Sequence, residues 1–267
     1  MYRLIFCDLD GTVADFDGEI DSATQRAMKA VAASGAYITL STGRGYQLLK
    51  PYLDRVTVNA PLVCCNGGLI VEAFTRKIHY VSPLPLPLAH DLVRLSQREG
   101  LAMWFYLHDM DTMLEKRVGE DSYALRRDGA IIRPVIDPLA ELASAPHKVV
   151  VEASSESMTD MVLERMRRFL GERARPVSSQ PRRIDVIVPG LSKAGAMSWV
   201  ADYLGIPREE TIGIGDGDND VEMLRWAGLG IAMGNASQAA REAASWIAPC
   251  IDNHGLAIAL ERFVLNR

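Results

Sequence analysis

The sequence predicts an α/β protein, a parallel-sheet core built from both ends of the chain with an α+β module inserted between them. Three observations carry that expectation. Short apolar runs alternate with helix-period segments in the amino-terminal part of the chain. The alternation breaks at a proline cluster, Ser82-Pro83-Leu84-Pro85-Leu86-Pro87, and resumes from Ser192.

Leu4-Ile5-Phe6-Cys7 is a short apolar run ending in carboxylates, as a buried parallel strand reads. Asp21 or Ser22 caps a helix through Met28 and Val31, which Gly35 closes. Ala36–Leu40 forms the next strand, Thr42-Gly43-Arg44 opens a helix through Leu48 and Leu49, and Leu62–Cys65 forms a third strand. Right-handed crossovers between parallel strands place the loops at their carboxyl ends, where such sheets bind ligands. The prolines of 82–87 remove backbone donors and fix φ, which excludes an interior strand or helix and marks a linker.

Beyond the linker the pattern gives a helix over 89–99, strands at 103–107 and 148–152, a helix over 158–170 and a strand at 184–188. This is an α+β module with a mixed or antiparallel sheet, and Pro189-Gly190 is its exit. A helix from Ser192 through Trp199 and Tyr203 follows, then strand Thr211–Ile214, helix Val221–Trp226, strand Gly230–Met233 and a last helix ending near Phe263. The expected domains are residues 1–82 with 189–267, and 83–188 as the insert.

The 267 residues are 48% hydrophobic and 24% charged with a net charge of −5, which excludes disordered, collagenous and membrane-spanning classes. No apolar stretch approaches the ~18 residues a spanning helix needs. The first acid, Asp8, comes too early for a signal peptide's apolar region. The four cysteines, Cys7, Cys64, Cys65 and Cys250, form no CxxC pair and read as buried thiols in a reducing compartment, so a cytoplasmic location without disulfides is expected. The acidic balance argues against nucleic-acid binding. Arg165, Arg167, Arg168, Arg173, Arg175, Arg182 and Arg183 are offset by neighbours such as Glu164 and Glu172 and read mostly as a solvated helix face.

The strongest local signal is Asp8-Leu9-Asp10-Gly11-Thr12 at the end of the first strand. Residues two apart in extended chain face one side, so both carboxylates point into one site. Two such carboxylates repel unless a hard, oxygen-seeking cation such as Mg²⁺ lies between them. Alone, the pair reads equally well as a strand-end turn. Gly213-Ile214-Gly215-Asp216-Gly217-Asp218-Asn219-Asp220 adds a second acidic strand-end loop, with Asp218 or Asn219 as a possible helix cap. It is not a calcium-binding EF-hand loop, because its sixth position is Val221 and its twelfth is Ala227.

Ser41-Thr42-Gly43-Arg44 places a hydroxyl and backbone N–H groups at an expected helix start, which suits a phosphate. Lys193, at another helix start, is a point charge available to phosphoryl oxygens. Singly, Thr42 reads as a cap and Lys193 as a surface lysine. Gly190–Ala194 lacks the last glycine of a nucleophile elbow, and neither a P-loop nor a complete GxGxxG occurs. His254 reads as part of a helix cap rather than as a general base.

Taken together, these motifs resemble the haloacid dehalogenase-like (HAD) superfamily of phosphohydrolases. Its four motifs correspond to Asp8–Thr12, Ser41–Arg44, Lys193, and Gly215-Asp216 with Asn219-Asp220. Asn66-Gly67-Gly68, Met233-Gly234-Asn235-Ala236 and Ile184-Asp185-Val186 are similar to features of its Cof-type group with a type IIB cap. Ala194 stands where that group usually has Gly, and Val13 where Leu is frequent.

The resemblance implies a Rossmann-like catalytic core and an inserted cap over 83–188 that sets substrate specificity. It implies Asp8 as the nucleophile forming an aspartyl phosphate and Asp10 as general acid and base. Mg²⁺ would be held by Asp8, the Asp10 carbonyl and Asp216, with Asp220 nearby or through water, and the phosphate by Thr42, Gly43, Lys193 and Asn219. The expected substrate is a small phosphorylated metabolite, a sugar phosphate or phosphorylated cofactor, with neither nucleic acid nor membrane as partner and the oligomeric state open. A phosphomutase of the phosphomannomutase type and a non-catalytic phosphate sensor remain as alternatives. Trp104, Tyr106, His108 and Arg133 are candidate cap contacts, although aromatic residues in a strand are more often core than ligand platform.

Overall fold

A computed structural model describes residues 1–107, 109–110, 112–116, 131–134, 138–180 and 182–266. In chain order its strands are β1 (Leu4–Cys7), β2 (Tyr37–Leu40), β3 (Leu62–Cys64), β4 (Leu69–Val71), β5 (Ile78–Val81), β6 (Ala102–Tyr106), β7 (Thr112–Lys116), β8 (Ile131–Pro134), β9 (Lys148–Glu152), β10 (Arg175–Gln180), β11 (Arg183–Ile187), β12 (Thr211–Gly215), β13 (Leu229–Ala232) and β14 (Trp246–Ile247). The helices are α1 (Ser22–Ala33), α2 (Lys50–Leu53), α3 (Leu86–Glu99), α4 (Pro138–Glu141), α5 (Thr159–Leu170), α6 (Lys193–Leu204), α7 (Val221–Trp226), α8 (Gln238–Ala243) and α9 (Gly255–Leu260). They fall into two compact units, Met1–Thr42 with Tyr52–Tyr80 and Ser192–Arg267, and Gly43–Pro51 with Val81–Leu191.

The first unit is built on a five-stranded sheet of order β14-β13-β12-β1-β2, parallel throughout. Its central strand β1 is wholly apolar and inaccessible because helices cover the sheet, as the unbroken run Leu4–Cys7 requires. Leu4 and Phe6 pack with Met197 and Val200 of α6 and Met223 of α7. Asp21 caps α1 by accepting from the N–H groups of Ala23 and Thr24, so Asp21, not Ser22, is the cap. The expected third parallel strand differs: β3 touches the sheet only through a parallel bridge between Ser41 and Val63, and pairs antiparallel with β4 in a second, three-stranded sheet that β5 completes. Cys7, Cys64 and Cys65 are buried free thiols, whereas Cys250 is partly exposed.

The second unit is a six-stranded sheet of order β10-β11-β9-β6-β7-β8, antiparallel except between β7 and β8. Alternation along its strands divides two faces. Met103, Phe105, Val149, Val151, Ile184 and Val186 join Leu92 of α3 and Met166 of α5 in one apolar core. Trp104, Tyr106 and Val150 form a separate cluster with Leu48. The linker ends sooner than expected: α3 already begins at Leu86, and Pro87 fits because a helix's first turn needs no N–H there.

The helix expected to open at Thr42 is absent. Extended backbone at Gly45 precedes a 3₁₀ turn, Tyr46–Leu48, and the single turn of α2. Gly43, Gly45 and Pro51 together disfavour a continuous helix here. The segment instead packs within the second unit, where Gln47 donates to the Leu107 carbonyl and Lys148 donates to that of Gly43. Among the described residues no helix is long and apolar enough to cross a membrane.

Candidate active site

The site lies at the carboxyl edge of the parallel sheet in the first unit. β1 ends at Cys7, and Asp8 follows at once with its amide N–H bonded to the Ile214 carbonyl of β12. β12 ends at Gly215, and Asp216 follows. Parallel neighbours in register therefore deliver their first post-strand residues to one place, which is how two loops remote in sequence meet. Gly11 completes the approach: its φ is 77°, and a Cβ at this position would lie only 2.3 Å from Asp216 Oδ2, so it admits no side chain. Thr12 Oγ1 donates to Asp216 Oδ1 at 3.1 Å.

Lys193, the first residue of α6, is completely buried at its side chain and bridges the two loops. Its Nζ donates to Asp8 Oδ1 and to Asp220 Oδ1, each at 2.6 Å. Asp220 uses its other oxygen to accept from the N–H groups of Asp216 and Gly217, so its carboxylate shapes the 216–220 turn. This corrects the expectation that Asp218 or Asn219 caps the turn. Carboxylate oxygens of Asp8, Asp216 and Asp220 lie within 4.8 Å of one another. The Asp10 side chain is outside that set but close enough for its charge to raise the pKa of both Asp8 and Asp216.

Four carboxylates around one ammonium leave an excess of negative charge. Burial and the Asp220 charge push Asp8 well above the usual carboxylate range, against the opposing pull of Lys193. Burial and Asp220 likewise raise Asp216 to about 7. Lys193 is held protonated, because the neighbouring carboxylates outweigh burial. A donor set of hard oxygens with surplus negative charge fits a divalent cation, and Asp8 and Asp216 have the oxygens to hold it. Asp220, the third acid of this set, also directs its oxygens to Lys193 and to the backbone N–H groups of Asp216 and Gly217.

Thr42 is buried in the first unit, its N–H bonded to the Val63 carbonyl and its own carbonyl accepting from Asn66. Gly43 belongs to the second unit. Asn219 donates to Asn66 Oδ1 at 3.0 Å. Asn66 and Asn235 stood in motifs that carried the resemblance without being given a role. Asn235 ties the first loop to the carboxyl-terminal region, donating to the Gly11 carbonyl and accepting from Ile251 N–H. Short amides beside glycine in a strand-end loop were the signal for both.

The other candidates fall elsewhere. Trp104 and Tyr106 are buried in the second unit, His108 lies outside the described residues, and only the backbone of Arg133, in β8, is described. Arg165, Arg168 and Arg173 pair at the surface with Glu99, Glu164 and Asp91, as a solvated face requires, but Arg183 is buried over the Trp104 ring. His254 stands at the N-cap position of α9, as expected, while its ring bonds Asp21.

A parallel sheet with an acidic carboxyl edge and one buried lysine defines an α/β enzyme whose site is made for a cation and an anion together. The chain belongs to the haloacid dehalogenase-like hydrolase family, whose model matches residues 5–260. It is similar to the 5-amino-6-(5-phospho-D-ribitylamino)uracil phosphatase YitU of Bacillus subtilis, 27% identical over 279 residues that cover 97% of each chain. A haloacid dehalogenase-like hydrolase from Bacteroides thetaiotaomicron superposes with a TM-score of 0.88 at 26% identity, over 98% of this chain and 99% of that one. A subclass IIB sugar phosphatase of the superfamily shares the fold, with a TM-score of 0.80 at 24% identity over 98% of both chains. The protein is thus a phosphoric monoester hydrolase of the Cof type.

Proposed function

We propose that this enzyme hydrolyses phosphomonoesters of small metabolites, sugar phosphates or phosphorylated cofactor precursors, through an aspartyl phosphate on Asp8. The observation that carries the reading is the Lys193 bridge from Asp8 to Asp220 with Asp216 alongside. The substrate class is supported by YitU, which acts on a phosphorylated ribityl compound.

Lys193 engages Asp8 Oδ1, which leaves Oδ2 to attack phosphorus. The P–O bond to the alcohol breaks, and Asp10, initially protonated, gives its proton to the leaving oxygen. Asp10 then takes a proton from water as that water attacks the aspartyl phosphate, which releases inorganic phosphate, frees the Asp8 carboxylate and returns Asp10 to its protonated form. Thr42, the Gly43 N–H, Lys193 and Asn219 hold phosphoryl oxygens through the transfer. When bound, Mg²⁺ would be held by Asp8, Asp216 and the Asp10 carbonyl, with Asp220 nearby or through water, and would supply charge neutralisation for the anionic nucleophile and ester. Residues 83–188 act as the cap that selects the organic part of the substrate.

Phosphate release from a panel of phosphorylated metabolites and an aryl phosphate, with Mg²⁺ and with chelator, tests this reading. Turnover is expected only with the metal, and Asp8→Asn is expected to abolish it in a folded protein. Activity surviving in purified Asp8→Asn would remove Asp8 as nucleophile. Transfer of phosphate to a second sugar without release of inorganic phosphate would identify a phosphomutase.

A further inference from the structure

We infer that the Cys65-Asn66-Gly67 turn positions the phosphate cradle, and that Asn66 acts on substrate binding through Asn219. The inference rests on the phosphatase reading above. Cys65, Asn66 and Gly67 are three consecutive residues at positive φ, 55°, 55° and 97°. Glycine adopts that region freely and asparagine tolerates it, but cysteine is strained there. Such a run persists only where its surroundings hold it.

Here the turn meets three separate parts of the site. Asn66 N–H donates to the Thr42 carbonyl at 3.1 Å. Gly67 lies so close to the Ser192 carbonyl that a Cβ would come within 2.4 Å of it, and Ser192 caps the helix that begins with Lys193. Asn66 Oδ1 accepts from Asn219 Nδ2 at 3.0 Å. One short turn therefore touches the segments bearing Thr42, Lys193 and Asn219, and the Asn66 residue itself is buried.

Two of these ties aim a donor. The Thr42 carbonyl and the Gly43 N–H share one planar peptide, so anchoring the carbonyl on Asn66 sets the direction of that N–H. The Asn219 amide has two N–H groups; one bonded to Asn66 stops rotation of the group and leaves the second for an anionic oxygen. Asn66 is thus a positioning residue whose side chain reaches substrate only by way of its neighbour.

The test measures KM and kcat for an aryl phosphate with Mg²⁺, the inhibition constant of inorganic phosphate, and Tm. Asn66→Gly keeps the left-handed backbone and its N–H but deletes the acceptor. KM and the inhibition constant are expected to rise about three- to tenfold, the loss of one hydrogen bond, with kcat less affected and Tm within about 3 °C of the parent. Asn219→Ala is expected to weaken phosphate binding in the parent and in Asn66→Asp, which retains an oxygen acceptor, but to add little in Asn66→Gly. Asn66→Ser replaces the glycine variant if that variant does not fold. Unchanged KM and inhibition constant, or an Asn219→Ala cost that is the same in every background, would overturn the inference while leaving the phosphatase reading intact. A parent enzyme without Mg²⁺-dependent turnover on any phosphomonoester would overturn both.

Discussion

Each unit buries charge, but in opposite ways. In the second unit Lys148 pairs with Asp185 at 2.7 Å, Arg182 with Glu152 at 3.1 Å, and Arg183 lies over the Trp104 ring at 4.8 Å. Each positive group there has a local counterpart, so the charges belong to the structure. In the first unit Asp8, Asp216 and Asp220 share Lys193 with the Asp10 charge close by, and burial and mutual repulsion drive Asp8 and Asp216 above their ordinary range. An unbalanced cluster is held in place by the fold at a cost in stability, a cost that a bound divalent cation would relieve. Charge balance, more than burial, separates scaffold from site.

The largest effect that sharpens this contrast is loss of a balanced pair. Lys148→Met leaves Asp185 buried without its cation and is expected to destabilise the protein by about 3–5 kcal/mol in a denaturant titration. Asp216→Asn is expected to act in the opposite direction, raising the Tm of metal-free protein at pH 8 while reducing the stabilisation by Mg²⁺. If both variants lost stability alike, the distinction between the two regions would break.

An intermediate effect concerns pH. The Asp216 carboxyl titrates at about 7 in the folded chain against an ordinary 3.8, so the folded state binds the extra proton between those values. Its contribution to metal-free stability is therefore lost as pH rises from about 4 to about 7. Added Mg²⁺ is expected to raise Tm more at pH 8 than at pH 5, where protons compete for the same oxygens. Equal shifts at both values would show that the acids are not the metal's ligands.

The smallest effect serves as a control outside both clusters. Asp21→Ala removes two hydrogen bonds at the start of α1 and is expected to cost about 1 kcal/mol, read as a lower Tm with kcat/KM unchanged. A change in kcat/KM would show that the cap at Asp21 reaches the acidic edge.

Much of this was legible along the chain because it is local. The apolar β1 and the largely apolar β12 announce buried parallel strands, and carboxylates placed just after them must emerge at a sheet edge. The strand Lys148–Glu152 and the helix Val221–Trp226 were readable to the residue. What failed was decided by remote partners. The polar strand β10, RPVSSQ, carries no alternation of its own and exists because β11 pairs with it. The segment after Thr42 looked helical from Leu48 and Leu49, but Leu48 is claimed by Trp104, Tyr106 and Val150.

Neighbours a few bonds away along the chain suffice for the alternation that makes a parallel sheet and for the strand-end position of Asp8 and Asp216. Contacts in space were needed to establish that Asp220 spends its oxygens on Lys193 and the backbone, that Gly43–Pro51 joins the second unit, and that Asn66 meets Asn219. Range accounts for the division. Lys193 reaches Asp8 across 185 residues and Thr12 reaches Asp216 across 204, and electrostatic energy depends on distances in space that no local pattern records.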